Sequence, residues 1–314
     1  MLNTLSNTTS LSHSHIRGVA MLADFHVSQW TARKVDRPET DKVLAANNVT
    51  DGKAAHVSKK LVKSKELDAI ATLVGKARAW HKHMTSPWAN EGARILSVVN
   101  YRPYHDGTFN EDGSVNERGM DWYESEFERL KPLFVAAYPD IRDNAASVLG
   151  GLFKLDDYPQ PSRIAAKFAW HSRVFGLPDE SDFRCDIGDA EIARVRAQIT
   201  QETTARFTLA TIDCFERALE PLAKLAEALD GYRPNLTGRE KGTFRDSATD
   251  NIAAVIAELP GLNFTGDSRV TKLCEDMAAL IQPGAQAMRD DGRLRAETVA
   301  KAKTMIEAVS DLMA

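Results

Sequence analysis

Residues 80–101 read WHKHMTSPWANEGARILSVVNY. A helical pattern runs into this stretch from upstream. Val57, Leu61, Leu67, Ile70, Val74, Ala77 and Trp80 recur at threes, fours and one six-residue gap, which predicts an amphipathic helix from about Ala55 to Met84. Ser86-Pro87 stops it, because a residue before proline is pushed out of the α region. The run ARILSVVNY, Ala93 to Tyr101, then reads as a short strand. A helix that hands over to a strand at one proline predicts an α+β chain rather than an all-helical one.

The same reading extends outward. Val19, Met21, Ala23, Phe25 and Val27 alternate with Asp24, His26 and Ser28, the period of a half-buried strand. Pro38 is placed to open a short helix. Residues 102–119 are rich in Gly, Asn and Asp and predict a long, exposed, mobile loop. Two helical stretches follow from Met120 to about Phe153, with a break near Tyr138-Pro139. Residues 167–178 alternate again and predict a third strand, and residues 182–188 a short fourth. From Asp189 to Asp230 the pattern is strongly helical, with Pro221 a kink. Three more helices are expected from about Arg239 to Ala314, with breaks at LPGLNFTGD and QPGAQ.

The expected fold is therefore α+β and mostly helical, with a few short strands in the N-terminal half and a helical C-terminal half. The expected organisation is a disordered tail over 1–17, a mixed domain over 18–188 and a helical region over 189–314. The last region would pack as a bundle or supply an oligomer interface.

Composition narrows the class. With 43% hydrophobic and 27% charged residues, the 314-residue chain has the balance of a soluble globular protein. Its net charge of −4 rules out global basicity as a nucleic-acid signal. Cys185, Cys214 and Cys274 are too widely spaced for a disulfide framework or a structural zinc site, which suits a reducing compartment. No apolar run is long enough to span a bilayer, and the polar N-terminus lacks the order of a signal peptide. A cytoplasmic location is expected.

Catalytic and metal signatures are weak. His81 and His83 are two residues apart and fall on different helix faces, so they do not chelate as a pair. His26 and His171 sit on the polar sides of two predicted strands, and an enzyme would need them to converge with an aspartate in a polar pocket. Threading 108–119 as a calcium loop fails at both ends, where Thr108 and Gly119 stand in place of carboxylates. No phosphate-binding glycine motif and no nucleophile elbow is found. The carboxylates Asp156, Asp157, Asp182 and Asp186 read as caps and turn residues. The expectation is a non-enzymatic protein without metal or cofactor.

Charge patterning says more. Between Lys53 and His83 there are eight Lys/Arg and two acids, and Arg33, Lys34 and Arg37 lie just upstream. Asp106 to Asp143 has ten acids and four bases. A basic helix beside Trp30, Trp80 and Trp88 is what a single-strand binder uses, with cations for phosphates and aromatic planes for bases. Lys59, Lys60, Lys63, Arg78, Lys82 and Arg94 are the expected phosphate contacts and Trp88 the expected stacking residue. The plain alternative is a solvated helix face with its tryptophans in the core, its charge neutralised by the acidic segment or paired with it between subunits.

Three stretches together resemble a known group. FHVSQWTARKVDRPE (25–39), TSPWANEGARILSVVNY (85–101) and the run 153–189, FKLDDYPQPSRIAAKFAWHSRVFGLPDESDFRCDIGD, are similar to segments of an uncharacterised tailed-phage family, domain of unknown function 3150. The third departs from the family at Gly176-Leu177-Pro178. The resemblance implies a phage accessory protein acting in the host cytoplasm, and no catalytic residues carry over. It adds a second expectation beside single-stranded DNA binding in replication or recombination: a helical protein-interaction adaptor or regulator of a phage or host partner such as an AAA+ ATPase.

Overall fold

A computed structural model describes residues 16, 18–88, 92–179, 188–234 and 242–313. Helix makes up 67% and strand 13%, so the fold is mostly helical, with strands in the N-terminal half and helices in the C-terminal half. The tail over 1–15 and most of the short strand expected over 182–188 lie outside the described residues.

The strands are β1 (Ala20–Ser28), β2 (Arg33–Val35), β3 (Ser58–Lys60), β4 (Ser86–Pro87), β5 (Arg94–Ser97), β6 (Gly107–Phe109), β7 (Val115–Arg118) and β8 (Ala169–Phe175). Interleaved with them are α1 (Arg37–Ala46), α2 (Lys65–Met84), α3 (Val98–Asp106), α4 (Met120–Asp143), α5 (Ala145–Leu149) and α6 (Pro161–Ile164). The C-terminal helices are α7 (Asp189–Gly231), α8 (Ser247–Leu262), α9 (Ser268–Ile281), α10 (Gly284–Asp290) and α11 (Gly292–Met313).

One four-stranded sheet has the order β4-β5-β1-β8; β2-β3 and β6-β7 are separate two-stranded ribbons. β1 runs antiparallel to β5, with Ala20 opposite Ser97 and Leu22 opposite Ile95. Strand β1 is buried on both faces at its start, because Leu22 and Ala23 are both inside. The single polar face expected from its alternation is therefore confined to its second half, where His26 is exposed.

Two compact units are present, and both are discontinuous in sequence. The larger gathers the described chain up to Asp24, His81–Tyr104 and everything from Arg173 on; the smaller comprises Phe25–Trp80 and His105–Ser172. The position expected to separate the two regions, between 188 and 189, lies at the start of α7 and inside the larger unit.

Each unit has its own core. In the larger, Phe215, Leu222, Leu225 and Leu229 of α7 pack with Ile252 and Leu259 of α8, Met277 of α9 and Val299 of α11. In the smaller, Trp30, Phe134, Tyr138 and Phe168 form a chain of ring contacts with centroids 5.4–6.2 Å apart. Buried aromatics in such contacts add about 1 kcal/mol each beyond their area.

Four sequence-based expectations change. Helix α2 starts at Lys65, not Ala55, because Ser64 Oγ accepts the Leu67 N–H at 3.2 Å as an N-cap. The ten residues before it hold β3 and the buried pair Leu61 and Val62. The strand expected over Ala93–Tyr101 ends at Ser97, where the Ser97 hydroxyl accepts the Asn100 N–H at 3.1 Å and starts α3. Residues 102–119 are not a loop but the rest of α3 and the β6-β7 hairpin, whose turn Asp112 holds through the Ser114 N–H at 2.9 Å. Finally, α4 passes through Pro139 and ends at Asp143, with Phe134 and Tyr138 buried just ahead of that proline.

Candidate nucleic-acid interface

The basic residues converge in the smaller unit through strand pairing. β2 and β3 are antiparallel, with Arg33 opposite Lys60, Lys34 opposite Lys59 and Val35 opposite Ser58. Successive strand residues point to opposite faces. One face of the ribbon therefore carries Arg33 and Lys60, and the other Lys34 and Lys59. Like charges directly opposite repel, so such a ribbon needs counter-charges or a bound anion.

Lys59 receives its counter-charges inside the unit. Its Nζ lies 2.9 Å from Asp36 Oδ2, 2.7 Å from Asp157 Oδ2 and 2.8 Å from the Leu152 carbonyl. Of the three ammonium protons, two have hydrogen-bond acceptors in Asp36 and the Leu152 carbonyl, and Asp157 adds a close ion pair. Burial works against the charged Lys59, but the hydrogen bonds to Asp157 and Asp36 outweigh it and raise its pKa. The Lys59 hydrogen bond holds the Asp36 carboxyl below its ordinary range. Burial opposes ionisation of Asp157, yet Lys59 and Lys34 together bring it down as well. Asp36 also caps α1, accepting the Glu39 N–H, and Pro38 stands in the first turn.

Around this closed cluster the charge is open. A cavity of ≈400 Å³ is lined by the cations Lys34, Arg37, Lys59 and Lys154, by the carboxylates Asp36 and Asp157 that Lys59 engages, and by Val35 and Pro38 as apolar wall. Lys34 reaches Asp157 at 3.1 Å but keeps half of its side chain exposed. Arg37 and Lys154 are exposed and make no ion pair with a described residue. Lys60 is exposed and pairs with Asp68 at 3.0 Å, a solvated contact of small energy.

The seven sequence-predicted residues thus separate. Lys59 and Lys60 come together on the ribbon, but Lys59 is saturated. Lys63 is exposed just before α2. Arg78, exposed on α2, donates to the Val27 carbonyl at 3.3 Å. Lys82, Trp88 and Arg94 belong to the larger unit. There the Trp88 ring is half-buried and packs 6.2 Å from Phe207, so it is not a free stacking platform. Arg94 donates to Thr85 Oγ1 at 2.8 Å and to the Thr85 carbonyl at 2.9 Å. Burial, then the neighbouring Arg217, lowers its pKa. Lys82 is exposed, and its carbonyl accepts from Arg217 at 2.8 Å.

Sequence reasoning missed Lys154 and the pairing role of Asp157. Nothing local flags them, since they meet the ribbon from more than ninety residues away. Arg33, Lys34 and Arg37 stood out only as upstream charge.

The histidines resolve as follows. His81 is buried, with Nδ1 2.9 Å from the Tyr104 hydroxyl. Burial first, and Arg94 second, lower its pKa to about 4, so it is neutral at pH 7. His83 lies 3.3 Å from Glu258. His26 and His171 do meet, with rings stacked 6.5 Å apart, and both are exposed. Among the described residues no group of three or more His, Cys, Asp or Glu is placed to hold a metal, and no helix is long and apolar enough to cross a membrane. Compared with known proteins, the chain matches no family model, no curated protein and no solved structure.

Proposed function

We propose that this chain is a non-enzymatic nucleic-acid-binding protein whose contact surface is the β2-β3 ribbon of the smaller unit. The observation that carries the reading is the register that stacks four cations on two rungs in a chain of net charge −4. Single-stranded DNA is the proposed ligand, because a flexible strand can fold its phosphates around a compact cation cluster. With Trp88 engaged by Phe207, phosphate contact rather than base stacking supplies the affinity. The resemblance to the tailed-phage family gives the setting, replication or recombination in a host cytoplasm.

Titration of a labelled oligonucleotide by anisotropy tests this. The double variant Arg33→Glu, Lys60→Glu is expected to bind at least about tenfold more weakly, with a salt slope shallower by roughly 1–2. Unchanged affinity, or no binding by the parent chain even at low salt, would end the proposal.

A second reading, an adaptor for a protein such as an AAA+ ATPase, draws on one observation in the larger unit. Leu273, Met305 and Leu312 line an apolar cleft of ≈510 Å³ between α9 and α11. It predicts a defined protein partner that co-purifies after nuclease treatment.

A further inference from the structure

We infer that the cavity beside the ribbon is a seat for a phosphate monoester carried on a nucleoside-sized group. In its strand-borne form this rests on the nucleic-acid reading above: the occupant is then the 5′-phosphorylated end of a strand. The same chemistry is offered by a free nucleoside monophosphate.

Three features select this class of ligand. First, the cations come from three separate segments: Lys34 from β2, Arg37 from the first turn of α1, and Lys154 from the stretch before the 155–157 turn. A phosphate inserted among them would be gripped from several sides, whereas a phosphate lying on the open ribbon meets only its outer face. A monoester carries nearly two charges at pH 7 and three terminal acceptors, so it gains more from such a cluster than an internal diester with one charge. Second, ≈400 Å³ exceeds what a bare phosphate fills and falls in the range of small-molecule sites. Val35 and Pro38 supply apolar wall suited to a sugar or base. Third, the cluster is held in place without the ligand. Lys59 ties Asp36, ahead of α1, to Asp157, close to Lys154 in the chain, so the backbone bearing Arg37 and Lys154 is fixed by a group the ligand does not need.

The two carboxylates do not oppose binding outright. Asp36 and Asp157 are both committed to Lys59, and their depressed pKa values record that commitment. Lys34 is the shared group. Half exposed on Asp157, it can turn its ammonium to an incoming phosphate while Lys59 keeps Asp157 neutralised.

The test uses the full chain with three probes: a 5′-phosphorylated oligonucleotide, the same oligonucleotide with a 5′-hydroxyl, and adenosine 5′-monophosphate. The 5′-phosphate is expected to tighten binding by about tenfold, and Lys154→Ala with Arg37→Ala to erase that difference while leaving 5′-hydroxyl binding in place. Adenosine monophosphate should compete for the difference only. Binding of the mononucleotide, lost in the double variant, without any oligonucleotide binding, supports the seat with a free nucleotide as occupant and rejects the strand reading. Equal binding of both oligonucleotides with no mononucleotide binding overturns the seat and leaves the ribbon standing. Both side chains are exposed, so the variant keeps its core; a thermal melt matching the parent confirms that the readout is binding.

Discussion

Lys59 in the smaller unit and Arg217 in the larger are built from the same parts and end differently. Each is a cation between two carboxylates and backbone carbonyl groups, one for Lys59 and three for Arg217. Arg217 of α7 holds Asp213 at 2.9 Å and Glu258 of α8, and donates to the carbonyls of Lys82, His83 and Thr85 at the end of α2. Its cationic neighbour Arg94 is spent on Thr85 as well, so that cluster is closed. Around Lys59 the closed core is ringed by Lys34, Arg37 and Lys154, which still face solvent. A buried ion pair therefore says little about function by itself. What marks a candidate site is cationic charge left over after the internal pairs are counted.

Three measurements press on this contrast. The largest effect is expected for Arg217→Met, which strands Asp213, leaves Glu258 with His83 alone and uncaps the end of α2. A loss of about 4 kcal/mol is expected, read as a lower urea midpoint. Lys59→Met should cost less, about 2 kcal/mol, because Lys59 borders an open cavity and water can reach the freed carboxylates. It should also weaken oligonucleotide binding indirectly, through the loosened backbone, by raising the dissociation rate.

The units should also differ in how they meet acid. Unfolded His81 takes up a proton near pH 6.5, whereas folded His81 resists it down to about 4. The unfolded state thus binds more protons between those values, and stability falls as pH drops through them, by about 3 kcal/mol over the whole span. Asp36 and Asp157 have lowered pKa values, so their contribution is present above the ordinary carboxylate value and is lost only below it. Hydrogen exchange at pH 7 and pH 5 should show amides around His81 losing protection while those around Lys59 keep it. Equal loss in both places would break the contrast; His81→Asn, removing the pH dependence, would sharpen it.

Much of the fold was legible where one physical signal was strong. Ser86-Pro87 ended α2 as its geometry requires, the alternation of Trp170, His171 and Arg173 marked β8, and the long stripe of Phe207, Cys214, Leu222 and Leu229 marked α7. The start of α2 was hidden because Leu61 and Val62 are buried without being helical, although the six-residue gap from Leu61 to Leu67 recorded the change. The β6-β7 hairpin gave no period because β7 is exposed at every position. Pro139 misled because proline usually breaks a helix, and here burial of Tyr138, whose hydroxyl bonds the Pro159 carbonyl at 2.8 Å, holds the turn. For the candidate site, charge density pointed to the ribbon but could not tell saturated Lys59 from open Lys60. That distinction belongs to Asp157 and Leu152, which only folding brings near.

The opposition of Arg33 to Lys60 carries a last consequence. Two like charges on one rung strain the ribbon they hold, and dissolved ions relieve that strain by screening it. Salt should therefore tighten the empty ribbon while loosening its grip on a strand. On the proposed reading, a nucleic-acid ligand would act as counter-ion to the rung and gain affinity from its relief, so its occupancy should be felt as a rise in melting temperature that shrinks as salt increases. On that reading the ribbon would be a fold element completed by its ligand's charge.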